Sequence, residues 1–249
     1  MTPTTAADFG FDDTDVLLVT GAGSGIGRAM TLAALGMGLR VSGWDLNQET
    51  LGETERLAAS DRFLPVCADV SDAAAVAEGF ARTRSTMGPV RYLANNAGPA
   101  SSSPLDFEDA LRVCVGSVRL MTTTWSADPA LPEGAAMVVT SSVAGNVVGT
   151  ASDWYSAAKA ALAGYMRHLA SSQPVRFRSN AVAPGMTATP RLDGFAESAI
   201  GERILGRMPM QRMATPEEIA LPALFLLSPL ASYVHGAFLP IDGGWTVAQ

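Results

Sequence analysis

The chain has few charged residues and few cysteines for its 249 residues, and each shortage excludes a class of protein. Charged residues make up 16% and apolar residues 48%, which excludes a disordered chain because disorder requires high charge and low hydrophobicity. The two cysteines, Cys67 and Cys114, are too few for a disulfide framework and indicate a reducing compartment. We also predict no metal site.

Long apolar runs and a basic leading segment are absent as well. The run at 219–227 is interrupted by Pro222 and falls short of the roughly 18 residues that span a bilayer. The first basic residue is Arg28, so the positively charged region of a secretory signal is missing. The net charge of −7 disfavours nucleic acid, because an acidic surface repels phosphates. We therefore expect a cytoplasmic protein that binds neither membrane nor nucleic acid.

Lysine is the scarcest of the basic residues. Of the 17 basic residues one, Lys159, is lysine and all the others are arginine. An ammonium is a compact point charge on a flexible stem, and a planar guanidinium does not replace it everywhere. A single lysine also has to fall somewhere by chance, so the residues around Lys159 decide whether it has a function.

Short apolar runs alternate with longer amphipathic stretches along the whole chain. The predicted strands are 16–20, 40–44 (or to Asp45), 63–67, 90–95, 136–141, 175–182 and 238–241, and the predicted helices are 25–38, 49–59, 72–87, 106–125, 153–171 and 216–227. Continuously apolar runs suit strands that are buried on both faces. The alternation predicts a doubly wound, Rossmann-type α/β fold, in which helices flank a seven-stranded parallel sheet within a single domain, 1–249.

The segment at about 186–213 is the irregular part of this pattern. It contains Pro190, Pro209 and four methionines, and it follows a predicted strand on the side of the sheet where such folds bind ligands. Long loops of this kind are often functional, and methionine adapts to apolar guests. We predict a substrate lid, with a surface excursion that carries core methionines as the alternative.

A glycine-rich loop joins the first predicted strand to the first helix. Gly21 permits a tight turn, Gly25 lets the backbone approach a pyrophosphate, and Gly27 allows close packing of helix and strand. The helix that follows presents free N–H groups to the anion, and Ser24 and Ile26 belong to the same loop. The loop therefore predicts a dinucleotide site, and a plain strand–helix turn is the alternative.

An acidic residue, Asp45, follows the second predicted strand. A carboxylate there accepts hydrogen bonds from the adenosine ribose and repels a 2′-phosphate, and no basic residue is beside it in sequence. We therefore predict NAD rather than NADP; the alternative is that Asp45 caps the next helix. Further residues predicted to line the cofactor site are Leu46, Asp69 and Val70 near the adenine, and Asn96, Ala97 and Gly98 under the ribose.

Tyr155 and Lys159 lie four residues apart at the start of a predicted helix, so they share one face. A nearby ammonium favours the ionised form of a phenol, which makes Tyr155 a usable proton donor or acceptor for a carbonyl or an alcohol. Thirteen residues earlier, Ser142 ends a predicted strand and is placed to donate to the same substrate oxygen. Its neighbour Ser141 is the competing choice.

Taken in order, the glycine loop, the Asn95-Asn96-Ala97-Gly98 run, Ser142, Tyr155 with Lys159, and Pro184-Gly185 resemble the small single-domain branch of the short-chain dehydrogenase/reductase family. The resemblance extends from about Val16 to the C-terminal 241–245. It implies hydride transfer between a nicotinamide and a carbinol carbon, with Tyr155 as acid/base and Lys159 on the nicotinamide ribose. It also implies that Pro184, Gly185, Thr187 and Thr189 contact the nicotinamide, and that the protein is a homo-oligomer, either a tetramer or a dimer.

One position departs from that pattern. Cys114 stands where the family usually has an asparagine that supports a proton relay, and a thiol is a weak hydrogen-bonding group. The departure puts the relay in doubt rather than the hydride transfer, and Ser117 is a possible substitute.

The residues expected around the substrate are mostly apolar. They are Pro99, Val143, Val147, Val148, Trp154, Met186 and Phe195. We predict an NAD-dependent dehydrogenase or reductase for an apolar secondary alcohol or ketone, possibly cyclic or aromatic. The alternatives are an isomerase, epimerase or lyase on the same frame, and a non-catalytic protein that senses the dinucleotide.

Overall fold

The computed structural model describes residues 8–146, 148–172 and 175–248. In these residues seven parallel strands form one sheet in the order β3-β2-β1-β4-β5-β6-β7. The strands are β1 (Val16–Thr20), β2 (Arg40–Asp45), β3 (Phe63–Cys67), β4 (Tyr92–Asn95), β5 (Ala136–Thr140), β6 (Arg178–Pro184) and β7 (Phe238–Ile241). The predicted doubly wound fold is confirmed.

Helices cover both faces of the sheet. They are α1 (Gly25–Gly36), α2 (Gln48–Ala58), α3 (Ala73–Met87), α4 (Phe107–Leu111), α5 (Ser117–Ser126), α6 (Asp153–Ala170), α7 (Ala199–Leu205) and α8 (Pro216–Leu227). One apolar cluster packs β1 against α1 and α8, and a second packs the opposite face against α3, α5 and α6. Double coverage explains why the strands are continuously apolar instead of alternating. No helix in the described ranges is long and apolar enough to cross a membrane.

The strand order reverses between β1 and β4, which pair with each other. Strands β2 and β3 lie beyond β1, and strands β5, β6 and β7 lie beyond β4. Crossovers therefore diverge at this point and leave a crevice beyond the carboxyl ends of the strands, which is where ligands bind in open α/β sheets. The glycine loop after β1 and the Asn95–Gly98 run after β4 both open into this crevice. The topology thus brings together two motifs that are 75 residues apart in sequence.

Several predicted boundaries differ from the structure, and the differences of two residues or more at β4, at the start of β6 and at α1 have local reasons. β4 begins at Tyr92 rather than residue 90, because the Val90 carbonyl accepts a hydrogen bond from the Trp125 indole at 2.8 Å. β6 begins at Arg178 rather than residue 175, and Val175 is exposed. α1 ends at Gly36, before Gly38 adopts a left-handed φ of 91° that a helix does not continue through.

The predicted helix at 106–125 is present with an interruption. A π-helical turn, Arg112–Gly116, separates α4 from α5 and places Cys114 on its buried side. Such wide turns occur frequently at functional sites.

Candidate active site

The glycine loop has the geometry of a phosphate cradle. Gly21 adopts φ 72° and Gly25 adopts φ 50°, which are left-handed conformations that favour glycine. A Cβ on Gly27 would overlap the Gly21 carbonyl oxygen and would lie 2.7 Å from the Asn96 amide nitrogen. The backbone of the loop therefore depends on the missing side chains, and Ser24 leads directly into α1, whose first N–H groups face the crevice.

Asp45 at the end of β2 holds the next part of the loop. Its Oδ2 accepts the Gly23 N–H at 2.8 Å, and its Oδ1 accepts the Asn47 N–H at 2.9 Å. The alternative interpretation of Asp45 as the cap of α2 is excluded, because Asn47 caps that helix through Glu49 and Thr50. The Asp45 carboxylate remains half-buried at the rim of the crevice.

The carbonyl of the same residue, Gly23, is held by Arg28, which the sequence analysis did not assign. Its guanidinium donates to the Gly23 carbonyl and to Glu53 Oε2 at 2.6 Å, and its Nε donates to the Thr54 hydroxyl at 3.0 Å. The Arg28 charge lowers the pKa of the Glu53 carboxyl. Arg28 is thus a basic group close to Asp45 in space although it is distant in sequence, and Glu53 balances its charge.

The loop after β4 is fixed by two threonines that the sequence analysis also missed. The Thr20 hydroxyl accepts the N–H groups of Asn96 at 2.9 Å and Ala97 at 3.0 Å. Asn96 in turn donates to the Thr20 carbonyl at 3.1 Å and accepts from the Thr140 hydroxyl at 3.1 Å. Strands β1, β4 and β5 are therefore tied together directly beneath the crevice.

Tyr155 and Lys159 lie on one face of α6, which begins at the Ser152 cap. The Lys159 ammonium donates to the Thr140 carbonyl at 2.8 Å and lies 5.5 Å from the centre of the Tyr155 ring. An arginine would not fit this arrangement without displacing the Thr140 carbonyl, because its planar group is larger and its donors are fixed in a fork. The position of the single lysine therefore agrees with a specific role.

The two candidate serines after β5 have different surroundings. The Ser141 hydroxyl donates to the Lys159 carbonyl at 2.8 Å, so it serves to attach α6 to the sheet. The Ser142 hydroxyl makes only long contacts, 3.2 Å from the Ala144 N–H and 3.4 Å to the Pro184 carbonyl. Ser142 is consequently the freer donor at the carboxyl edge of the sheet, which favours it over Ser141.

Cys114 lies in a small cluster with Ala110, Trp154 and Ala158. Burial raises the pKa of its thiol, while the charges of Lys159 and Arg191 act in the opposite direction. The thiol is therefore protonated at neutral pH and a poor nucleophile. The residue packs against Trp154 and Ala158 of α6, the helix that carries Lys159.

The segment after β6 lies over the crevice. Its base is fixed by hydrogen bonds from the Ala214 N–H to the Met186 carbonyl and from the Ala188 N–H to the Ala214 carbonyl. Thr187 is buried, and the Thr189 methyl lies 3.0 Å from where a Cβ on Gly25 would stand. Arg191 donates to the Gly98 carbonyl, so the segment reaches from the glycine loop to the loop after β4.

The remaining predicted residues occupy different depths. Trp154 and Val143 are buried, and Trp154 contacts the Tyr155 ring edge-on with the ring centres 5.7 Å apart, so it supports Tyr155 from within a packed cluster. Pro99, Val148, Met186, Phe195 and Val70 are half-buried, whereas Leu46 and Asp69 are exposed at the adenosine end. Val147 lies outside the described residues. The half-buried apolar residues are those available to line a pocket.

A doubly wound sheet with a glycine-rich phosphate cradle, an acid at the end of its second strand and a Ser–Tyr–Lys group after its fifth strand defines a dinucleotide-dependent oxidoreductase scaffold. The family profile described as enoyl-(acyl carrier protein) reductase matches residues 21–246. The chain is 33% identical over 248 residues to 2-(R)-hydroxypropyl-CoM dehydrogenase of Xanthobacter autotrophicus, over 93% of this chain and 98% of that one.

Two further comparisons agree with this match. Galactitol 2-dehydrogenase (L-tagatose-forming) of Cereibacter sphaeroides is 35% identical over 92% of this chain and 94% of its own length. The crystal structure of the short-chain glucose/ribitol dehydrogenase from Brucella melitensis superimposes with a TM-score of 0.87 at 28% identity, over 96% of this chain and 98% of that chain. The chain belongs to the short-chain dehydrogenase/reductase family, whose members use a nicotinamide dinucleotide.

Proposed function

We propose that the protein is an NAD-dependent dehydrogenase or reductase that acts on an apolar secondary alcohol or the corresponding ketone. The observation that carries the proposal is the Lys159 ammonium, anchored on the Thr140 carbonyl beside the Tyr155 ring. The bound nicotinamide would supply the hydride acceptor or donor. The two relatives described above are named for activity at a 2-hydroxypropyl group and at position 2 of galactitol, and both are secondary alcohols.

The chain's own residues bind the substrate oxygen and move its proton. Ser142 donates a hydrogen bond to that oxygen, and Tyr155 takes the alcohol proton onto its phenolate oxygen in oxidation, or gives the proton of its hydroxyl to the carbonyl oxygen in reduction. Lys159 lies beside the Tyr155 ring, with its ammonium held on the Thr140 carbonyl, and Trp154 contacts the ring from the buried side. Gly21, Gly25 and Gly27 shape the loop that would bind the diphosphate, and Asp45 would accept hydrogen bonds from the adenosine ribose.

This proposal is tested by following NADH absorbance with a panel of cyclic, aromatic and aliphatic secondary alcohols, and with polyols as the contrast. We expect turnover of cyclic or aromatic alcohols with NAD, because the half-buried residues available for the pocket are apolar. A marked preference for polyols would contradict the substrate class. Conversion of a substrate without net formation of NADH would favour the isomerase, epimerase or lyase alternative, and NAD binding without turnover of any panel member would favour the sensing protein.

The preference for NAD is assigned to Asp45. Its two oxygens already hold the Gly23 and Asn47 N–H groups, and each oxygen keeps lone pairs that would accept hydrogen bonds from a ribose. Arg28 is close enough to attract a 2′-phosphate, but Glu53 pairs with it and Gly23 accepts two of its donors. The balance of charge at this rim therefore favours the unphosphorylated ribose.

Asp45→Asn is the sharpest test of this assignment, since it keeps an acceptor for the Gly23 N–H and removes the charge. We expect the ratio of kcat/KM for NADP to that for NAD to rise by about 10–100-fold, the range of a charge-assisted hydrogen bond of about 1.5–3 kcal/mol. Steady-state kinetics with both cofactors measures the ratio. Glu49→Gln removes an exposed charge from the first turn of α2 and serves as the matched control. An unchanged ratio in Asp45→Asn would refute the assignment.

A further inference from the structure

We infer that the substrate carries an anionic group of the carboxylate class, and that Arg191 of the lid binds this group. The inference rests on the proposed function, because it concerns the substrate of the same site. It adds a charged anchor to a pocket that is otherwise apolar, and so narrows the substrate from secondary alcohols in general to hydroxy acids or keto acids.

Arg191 is held at the crevice by its own backbone and by one hydrogen bond. It lies in the single helical turn Pro190–Leu192 and donates through Nη2 to the Gly98 carbonyl, in the loop after β4. A guanidinium has five N–H donors, so this bond leaves the other edge of the group available. Bidentate recognition of a carboxylate is the use to which arginine is best suited.

No carboxylate balances this charge. Among the residues that the structure describes, none of the ion pairs includes Arg191, although Arg212 at the base of the lid pairs with Glu218 and Arg28 at the glycine loop pairs with Glu53. The chain as a whole carries a net charge of −7, so a surplus of acids was available in the sequence. Arg191 is exposed, so its guanidinium, anchored on a neutral carbonyl, is accessible to an external anion.

Arg191 lies beside a residue that is available to line the substrate pocket. Its hydrogen-bond partner Gly98 directly precedes Pro99, which is half-buried. A substrate bound against Pro99 would therefore have its acid group within reach of the positive charge of Arg191.

The test compares the 2-, 3- and 4-hydroxycyclohexanecarboxylates with their carboxamides, which keep the ring and the carbinol and remove the charge. For the wild-type protein with NAD, we expect kcat/KM to be higher for at least one acid than for its amide. In Arg191→Gln, we expect the ratio of kcat/KM for the acid to that for the amide to fall by about 10–100-fold. Arg191→Lys should fall between the two, since it keeps the charge and loses the fork.

Arg203→Gln is the matched control, because Arg203 is an exposed arginine of the same lid, on α7, and its replacement should leave the ratio unchanged. An equal loss for acid and amide in Arg191→Gln would overturn the inference, because it would mean that Arg191 acts only by fastening the lid to Gly98. A rise in the Kd for NADH, measured by its fluorescence, with no change in the ratio would also overturn it and would assign Arg191 to the cofactor phosphates.

The inference and the proposed function fail in different ways. A wild-type protein whose kcat/KM for neutral cyclic alcohols equals its kcat/KM for the acids would overturn the inference and leave the proposed function standing. A protein that binds NADH but oxidises no secondary alcohol, charged or neutral, would overturn both.

Discussion

Replacing Tyr155 by phenylalanine should lower kcat by about 10²–10⁴-fold, the range attributed to a positioned general acid or base. The substitution removes one oxygen atom and leaves the ring, its edge-on contact with Trp154 and its distance from the Lys159 ammonium in place. Ser142 would still polarise the substrate oxygen, but no group in its position would accept the proton. The loss should therefore appear in kcat with a smaller change in KM.

Binding of NADH and the melting temperature separate this chemical effect from misfolding. We expect both to be close to the wild-type values in Tyr155→Phe, since Tyr155 is half-buried at the crevice and does not belong to the main core clusters. Tyr165→Phe is the matched control, because it removes the other phenol of α6 from a position outside the site. Turnover by Tyr155→Phe within a few-fold of wild type would exclude Tyr155 as the acid/base.

The layout of this site was largely predictable from the sequence because its parts are local. The glycine loop, the acid after β2, and Tyr155 with Lys159 each occupy a short segment whose strand or helix is indicated by its apolar pattern. A parallel sheet then brings the carboxyl ends of its strands to one edge. The fold class and the placement of Tyr155 beside Lys159 follow from these two facts without any knowledge of side-chain contacts, whereas the choice between Ser141 and Ser142 does not.

The contacts that hold the loops in place were not predictable. Arg28, Glu53 and Thr54 form a network around one peptide of the glycine loop, and they come from two helices whose relative placement no local pattern records. The same is true of Thr20, which looks like an ordinary strand residue and yet fixes the loop after β4. These residues are polar groups that satisfy backbone donors and acceptors, and their partners are known only once the chain is folded.

The burial of Trp154 changes the interpretation of that residue. Trp154 is large and apolar, so it was expected to line the substrate pocket, but it packs with Cys114 and Ala158 beneath Tyr155. Its neighbour in sequence faces the crevice because successive residues of a helix point about 100° apart. A side chain next to a catalytic residue in sequence is therefore as apt to support that residue as to contact the substrate.

Gly27→Ala should have the largest effect on the fold and on cofactor binding together. The added Cβ would overlap the Gly21 carbonyl oxygen, which is backbone, so no change of rotamer relieves the clash. Overpacking costs typically about 1–3 kcal/mol, and a clash between two backbone segments belongs at or above the upper end of that range. For a chain of this size each kcal/mol corresponds to about 2–4 °C, so we expect the melting temperature to fall by about 6–12 °C or more.

Gly36→Ala is the control that makes this result specific to the loop. Gly36 is the last residue of the same helix, and a Cβ there meets nothing within 4 Å. Alanine favours helix over glycine by up to about 1 kcal/mol, so Gly36→Ala should keep or slightly raise the melting temperature.

The two variants should also differ in cofactor binding. Relief of the Gly27 clash must push Gly21 and Asn96 away from α1, and these residues form the floor of the crevice. Weaker binding of NADH should therefore accompany the lost stability in Gly27→Ala alone, whereas loss of stability with unchanged NADH affinity would mean that the close approach of loop and helix serves packing and not the cofactor.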